Sequence, residues 1–179
     1  MSTRTAEFYS QPQIFSTKHL NLSYSFVKGS IEMTLRLEAT HISTKTFPRT
    51  YEILQKLVPS VLSSQCFNDL NLPFQEEVKS TEMGHLLEHI LLEYLCLEKM
   101  DYGSEEADFS GETSWNWIRD PHGTFQITID CSQNDYIFFL PALEKSIGVL
   151  EEILFSKLHE TKTHHFFQPT YPSTPTMFS

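Results

Sequence analysis

Apolar and polar residues alternate along the chain from Leu20 to Ala39. The apolar positions on either side of the Lys-Gly-Ser sequence at 28–30 are Leu22, Tyr24, Phe26, Ile31, Met33, Leu35 and Leu37. A period of two is typical of strands that bury one face, and a glycine between two such runs is a turn signal. The pattern predicts a β-hairpin with one face in water.

A helical period replaces the alternation after Pro48, a residue that suits the first turn of a helix. Apolar residues repeat at helical spacing from Tyr51 to Leu62. Pro59 predicts a break or kink near the end of this helix, because proline cannot donate a backbone hydrogen bond. Residues 66–79 then form a predicted connecting loop.

The strongest helical pattern of the chain follows this loop. Ser80 or Thr81 can cap a central helix that ends near Met100. Its apolar residues fall on one broad face: Leu86, Leu87, Ile90, Leu91, Tyr94, Leu95 and Leu97. The pattern therefore predicts a helix packed against the rest of the domain.

Four further segments complete the predicted fold. An acidic loop from Ser104 to Gly111 leads to two strands, Ser114 to Ile118 and Thr124 to Cys131, and a last helix runs from about Leu140 to Leu158. Together the elements predict an α+β fold in which a small antiparallel sheet packs against two or three helices.

The length of 179 residues fits one globular domain. We expect a flexible N-terminal arm at residues 1–19, a single α+β domain at residues 20–158 and a disordered tail at residues 159–179. Three cysteines, an odd number at unrelated spacings, indicate reduced thiols rather than a disulfide framework.

The charge balance narrows the function. The chain has 13 Lys and Arg against 23 Asp and Glu, a net charge of -10, which argues against nucleic-acid binding. No apolar run approaches the roughly 20 residues of a membrane span. The N-terminus also lacks the apolar core of a secretory signal. We therefore expect a cytoplasmic protein with neither a nucleic-acid nor a membrane partner.

The central helix contains His85, Glu88 and His89 in the H-x-x-E-H order of inverted zincins. At about 100° per residue, the two histidines lie about 40° apart and one turn apart, so both rings can bind one metal ion. Glu88 lies beside them and can act as a general base. The alternative is a solvated polar stripe, but Leu92 and Cys96 on the same side make the helix apolar nearly all round.

A zinc site needs at least one more protein ligand. Glu93 lies about 12 Å along the helix from His85, too far to share one ion, and is better placed to support the site or bind substrate. Cys96 lies about 10 Å from His89 and suits a small buried side chain. Cys66 precedes the helix in a loop that can fold back onto the histidines, and its alternative is an ordinary half-buried thiol.

From about Leu35 to Leu158 the chain resembles the N-terminal domain of cyanophycin synthetase. The resemblance is carried by the run Gly84–His89, by Leu92 and Glu93, by a cysteine about twenty residues upstream, and by the Gly111-x-Thr113 and Pro121-x-Gly123 signals. In some members this domain is similar to a metallopeptidase that trims an Asp-Arg polymer. The resemblance implies that Cys66, His85 and His89 bind a metal and that Glu88 is the general base. In that family the domain precedes an ATP-grasp ligase and a Mur-ligase-like module, and 179 residues hold neither. The resemblance therefore also implies a stand-alone homologue.

The chain departs from the family pattern at residues expected to contact the substrate. Glu112 stands where relatives carry a basic residue, and Thr113 follows it. Trp115 and Trp117 are interpreted either as a stacking surface beside the site or as core residues. His122 is either a substrate contact or a turn residue.

We therefore expect a zinc-dependent hydrolase of peptides or amides with one zinc ion per chain. The net charge of -10 favours cationic substrates over acidic ones. The alternative is a non-catalytic binding or scaffold domain in which any metal is structural. A homo-oligomer is compatible with the sequence.

Overall fold

The structure, a computed structural model, describes residues 12–27, 29–67 and 72–163. Five strands form one antiparallel sheet in the order β1-β2-β3-β5-β4. The strands are β1 (Gln13–Ser16), β2 (Leu20–Val27), β3 (Ser30–Leu37), β4 (Ser110–Ser114) and β5 (Thr124–Asp130). The sheet therefore combines an N-terminal meander with two strands that return after the central helix.

The predicted hairpin is confirmed by strands β2 and β3. Their register runs from Leu20 opposite Leu37 to Val27 opposite Ser30. The connection places Gly29 at φ 92°, in a region that side chains other than glycine rarely adopt. Alternate residues of β3 are buried, so one face of the sheet carries the core and the other faces water.

Four α-helices accompany the sheet in the part of the chain that the structure describes. They are α1 (Thr50–Leu57), α2 (Phe74–Glu77), α3 (Met83–Asp101) and α4 (Tyr136–Thr163). Helix α3 contacts α4 along its length and also packs against β4 and β5. Phe139 of α4 meets the rings of Tyr24 and Phe26 on β2 at centroid distances of 5.0 and 5.5 Å. The result is the expected α+β fold, with helices on one face of an antiparallel sheet.

One predicted strand is misplaced, whereas the break predicted near Pro59 is present. The strand predicted at Ser114 to Ile118 is wrong, because the strand is Ser110–Ser114 and the chain then turns. That turn is closed by a bond from the Asp120 amide to the Asn116 carbonyl at 2.8 Å. The helix predicted from Pro48 ends at Leu57, and a 3₁₀ turn (Pro59–Ser63) follows it, as the proline requires.

The predicted domain boundaries also shift. Strand β1 lies inside the expected arm of residues 1–19, and residues 1–11 lie outside the described part. Helix α4 begins at Tyr136 rather than Leu140 and continues into the expected tail as far as Thr163. Residues 164–179 of that tail lie outside the described residues. Among the described helices, none combines the length and the apolar composition that crossing a membrane requires.

The first turn of α3 packs very closely against the sheet at Gly84. A methyl group placed on Gly84 would lie 2.5 Å from Cγ of Phe125 and 2.7 Å from its Cβ. These atoms belong to the rigid base of a fully buried ring on β5. Glycine at this position therefore sets the approach of α3 to the sheet.

We expect the substitution Gly84→Ala to lower the free energy of unfolding by about 1–3 kcal/mol, the usual range for an overpacked core. Gly148→Ala on α4 is the matched control, because nothing lies within 4 Å of its added methyl group. The control should gain about 0.5–1 kcal/mol, since alanine favours helix over glycine. Denaturant unfolding of both variants tests the difference, and two changes of the same sign would contradict it.

Candidate functional site

Three side chains with metal-ligating atoms meet at the N-terminal half of α3. His85 and His89 come from the helix, and Cys66 comes from the segment that follows the 3₁₀ turn. The two Nε2 atoms lie 3.1 Å apart, and Sγ of Cys66 lies 3.5 Å from Nε2 of His85. All three ligand atoms lie within 4.8 Å of one another.

This geometry fits a zinc ion. With bonds of about 2.0–2.1 Å to nitrogen and 2.3 Å to sulfur, tetrahedral zinc separates its ligand atoms by roughly 3.3–3.6 Å. Two of the three separations, at 3.1 and 3.5 Å, are close to those values, and the third is at most 4.8 Å. One thiolate and two imidazoles are also ligands that zinc accepts. The Cys-His-His cluster can therefore hold a metal ion.

Hydroxyl groups behind the histidines orient their rings. Ser64 donates its single hydroxyl hydrogen to the carbonyl of Val61 at 2.8 Å. Its oxygen, 2.9 Å from Nδ1 of His89, therefore accepts the hydrogen of that ring nitrogen. This tautomer leaves the lone pair of Nε2 directed at the cluster, which is the arrangement of a metal-binding histidine.

Thr81 makes the corresponding contact with His85 and orients its ring. Its hydroxyl lies 2.8 Å from Nδ1 of that ring. Thr81 is itself fully buried; its carbonyl accepts from the amide of Thr44, and its amide donates to the hydroxyl of Thr44, each at 2.9 Å. The predicted capping role of Ser80 or Thr81 is therefore wrong, since Glu82 is the N-cap residue of α3 and makes no side-chain cap.

Burial makes both imidazoles poor bases. His89 is 5% exposed and stacks on Phe74 with ring centroids 3.8 Å apart. Desolvation, and next the neighbouring His85, lower the pKa of His89 to about 3. Burial also lowers the pKa of His85. In the folded protein both rings therefore stay neutral at physiological pH, as ligands must be.

Glu88 lies between the histidines along α3 and is 6% exposed. The hydroxyl of Thr113 on β4 donates to its Oε2 at 2.5 Å. Burial raises the pKa of Glu88, and the charge of Glu112 raises it further, while the hydrogen bond from Thr113 lowers it. A methyl group on Gly111 would lie 3.2 Å from Cγ of Glu88, so this glycine leaves room for the carboxylate.

A large cavity of about 1060 Å³ opens in front of these residues. Its lining includes His85, Glu88 and His89, together with the residues of β4 from Ser110 to Thr113. Five further carboxylates line it: Glu77, Glu82, Glu93, Asp108 and Glu112. No Lys or Arg belongs to the described lining, so the cavity has a strongly negative potential.

The family model of the cyanophycin synthase-like N-terminal domain matches residues 31–116. This stretch of the chain is therefore similar to that domain family. The match spans strand β3, helix α3 and strand β4, and so includes Cys66, His85, Glu88 and His89. No curated protein matches the chain at a significant level.

Four more of the predicted site residues line the cavity. They are Glu93, Glu112, Thr113 and Trp115, and Thr113 also holds Glu88. The tryptophan is 41% exposed, so it is available for stacking rather than part of the core.

Trp117 and His122 are placed elsewhere by the structure. The indole of Trp117 donates to the carbonyl of Thr124 at 2.9 Å and packs edge-on against Phe125. The ring of His122 lies 4.3 Å from that indole, in the turn before β5. Neither residue belongs to the cavity lining, so Trp117 fits the interpretation as a core residue and His122 that of a turn residue.

Four residues of the site were not predicted as site residues from the sequence. Ser64 and Thr81 support the histidines, and Glu77 and Glu82 add charge to the cavity. Burial and the charge of Glu82 raise the pKa of Glu77. The spacing of Thr81, four residues before His85 on the same side of the helix start, is the signal that could have identified it.

We expect the metal-free protein to lose stability as the pH falls below about 6.5, the pKa of histidine in the unfolded chain. Because the pKa of His89 is lower in the folded state, the unfolded chain binds more protons in this range, and the free energy of unfolding falls. The substitution His89→Asn removes the ring, so the decrease in the free energy of unfolding between pH 7 and pH 5 should be smaller by about 2 kcal/mol.

Glu88→Gln should have the opposite effect on the same curve. A raised carboxyl pKa means that the folded protein takes up a proton before the unfolded chain does, which stabilises it as the pH falls. Loss of this compensation should steepen the decline. Denaturant unfolding in the presence of a chelator measures all three curves, and parallel curves would refute the assignment.

Proposed function

We propose that the protein is a metal-dependent hydrolase of peptides or amides whose zinc ion is held by Cys66, His85 and His89. The observation that carries the proposal is the position of the cluster beside Glu88, whose buried carboxylate lines a large cavity together with His85 and His89. A catalytic zinc site uses three protein ligands and keeps one position open, and three ligands from the described residues fit that pattern. A reduced thiol at Cys66 also fits the expected cytoplasmic location.

Bound zinc would supply a Lewis acid that polarises a carbonyl group and lowers the pKa of water. The chain's own residues then handle the protons. Glu88 accepts a proton from the attacking water and passes it to the leaving nitrogen, a task that suits a carboxyl with a raised pKa. Thr113 holds Oε2 and so fixes the carboxylate in orientation. Ser64 keeps the Nε2 lone pair of His89 directed at the metal, and Thr81 holds the ring of His85 in place.

The alternative is a non-catalytic domain with a structural metal. A structural zinc site is closed by four protein ligands, whereas this cluster opens onto about 1060 Å³ of cavity. The buried carboxylate of Glu88 also has no role in a structural site, and its desolvation costs free energy. Both features favour the hydrolase.

We expect purified protein without a histidine tag to contain close to one zinc per chain, and His85→Ala to lose most of it. Glu88→Gln should keep the zinc and the fold but lower turnover by at least about 100-fold, the usual scale of general acid–base catalysis. Elemental analysis and hydrolysis of short peptides measure the two effects. Full zinc in His85→Ala would refute the metal site, and full turnover in Glu88→Gln would refute the general base.

We further propose that the substrate carries positive charge. All six carboxylates of the cavity repel anionic ligands and attract cationic ones, and no basic side chain in the described lining opposes them. In the sequence, the net charge of -10 and the acidic residues around Gly111 already indicated this preference. The structure adds Glu77, Glu82 and Glu93 to the acidic residues near β4 and supports a local origin for it.

Short peptides with Arg or Lys should therefore be cleaved faster than neutral or acidic ones, and the advantage should shrink as salt screens the field. Glu112→Gln should reduce the preference. The matched control is Glu144→Gln, which changes the net charge equally at an exposed position on α4 outside the cavity. Equal effects of the two substitutions, or a ranking that ignores salt, would contradict a local origin.

A further inference from the structure

Strand β4 lies at one end of the sheet of described strands, so it pairs with β5 on one side and is open on the other. Its residues Ser110 to Thr113 line the acidic cavity. An open strand edge, which offers unpaired backbone groups to another extended chain, therefore borders the proposed active site.

Two hydrogen bonds reveal which backbone groups of β4 face outward. The amide of Cys131 donates to the carbonyl of Gly29 at 3.0 Å, and the amide of Leu37 donates to the carbonyl of Gly123 at 2.9 Å. In both bonds, an odd-numbered residue next to β5 pairs with a residue in or next to β3. The odd-numbered residues of β5 therefore direct their backbone groups towards β3. Since successive residues of a strand point their backbone groups to opposite sides, the even-numbered residues of β5 point to β4.

The register of β4 completes the assignment. Ser110, Glu112 and Ser114 lie opposite even-numbered residues of β5 and hydrogen-bond to them. Gly111 and Thr113 therefore direct their N–H and C=O groups away from β5. Among the described residues, neither makes a backbone hydrogen bond outside the pairing with β5.

The same two residues touch the proposed general base. Thr113 donates to Glu88, and Gly111 lies against its Cγ. The chain just before β4 lies near the C-terminal half of α3, where the thiol of Cys96 donates to the carbonyl of Ala107 at 3.6 Å. Strand β4 thus runs back along α3 towards its N-terminal half. A strand added about 4.8 Å beyond β4 follows the face of α3 that bears Glu88 and the histidines.

We propose that the open edge of β4 at Gly111 and Thr113 is the substrate-docking surface, on which a basic peptide adds as a sixth strand. This inference rests on the proposed hydrolase function and names how its substrate binds. Main-chain pairing provides affinity without regard to sequence, and the acidic lining selects for basic side chains. The volume of about 1060 Å³ is at the upper end of ligand sites, which fits several residues of extended peptide.

The test uses a peptide series and a single protein, the zinc-loaded full chain with Glu88→Gln to prevent cleavage. The probe is acetyl-(Ala-Arg)₃-amide, together with six analogues that each carry one N-methyl group on the backbone. Every second analogue should bind about 10-fold more weakly, because it loses a hydrogen bond to β4, and the others should change little. Because Ala and Arg alternate strictly, a peptide that shifts by two residues along β4 still directs the same set of amides towards β4.

Amide hydrogen exchange provides an independent readout. Bound peptide should slow exchange at Gly111 and Thr113 but not at Glu112, whose amide already bonds to β5. Uniform losses across the analogues, unchanged exchange at Gly111 and Thr113, or no binding at about 1 mM peptide would each overturn the docking surface. Alternating losses without cleavage of the parent peptide by the wild-type protein would support the surface and refute the hydrolase. Cleavage without alternation would refute the surface alone.

Discussion

Burial of ionisable side chains is the constraint on which the rest of this structure depends. Glu88 and His89 are almost completely removed from water, and such groups are costly unless they are hydrogen-bonded or bound to an ion. The surrounding residues reduce that cost. Thr113 donates to Glu88, Ser64 accepts from His89, and Thr81 bonds to His85, so the carboxylate and both imidazoles each have a hydrogen-bond partner.

Close packing makes these partnerships possible. Glycine at 84 lets α3 approach the ring of Phe125, and glycine at 111 leaves space for the side chain of Glu88. The helix and β4 are thereby brought close enough for a hydroxyl on one to reach a carboxylate on the other. The same approach leaves the far edge of β4 exposed to the cavity, so one packing arrangement defines both the proposed base and the proposed peptide site.

Charge distinguishes this cavity from an ordinary apolar ligand site. Six carboxylates surround a cluster whose two imidazoles are held neutral by burial. A cation bound by Cys66, His85 and His89 would offset part of this negative charge, and a basic substrate would offset more. The proposed metal site and the proposed substrate preference therefore have a common electrostatic origin.

Local patterns in the sequence determined the hairpin β2–β3, the central helix and the juxtaposition of His85, Glu88 and His89, because each depends only on residues within one or two turns or strands. They also favoured Cys66, since a loop preceding the helix can reach its first turns. They misplaced β4, because Ser110 to Ser114 holds few apolar residues and forms a strand only through its pairing with β5. Only the tertiary structure shows that Ser64, Glu77 and Glu82 belong to the site and that Trp117 does not. These placements depend on contacts between segments far apart in the chain, which no local periodicity records.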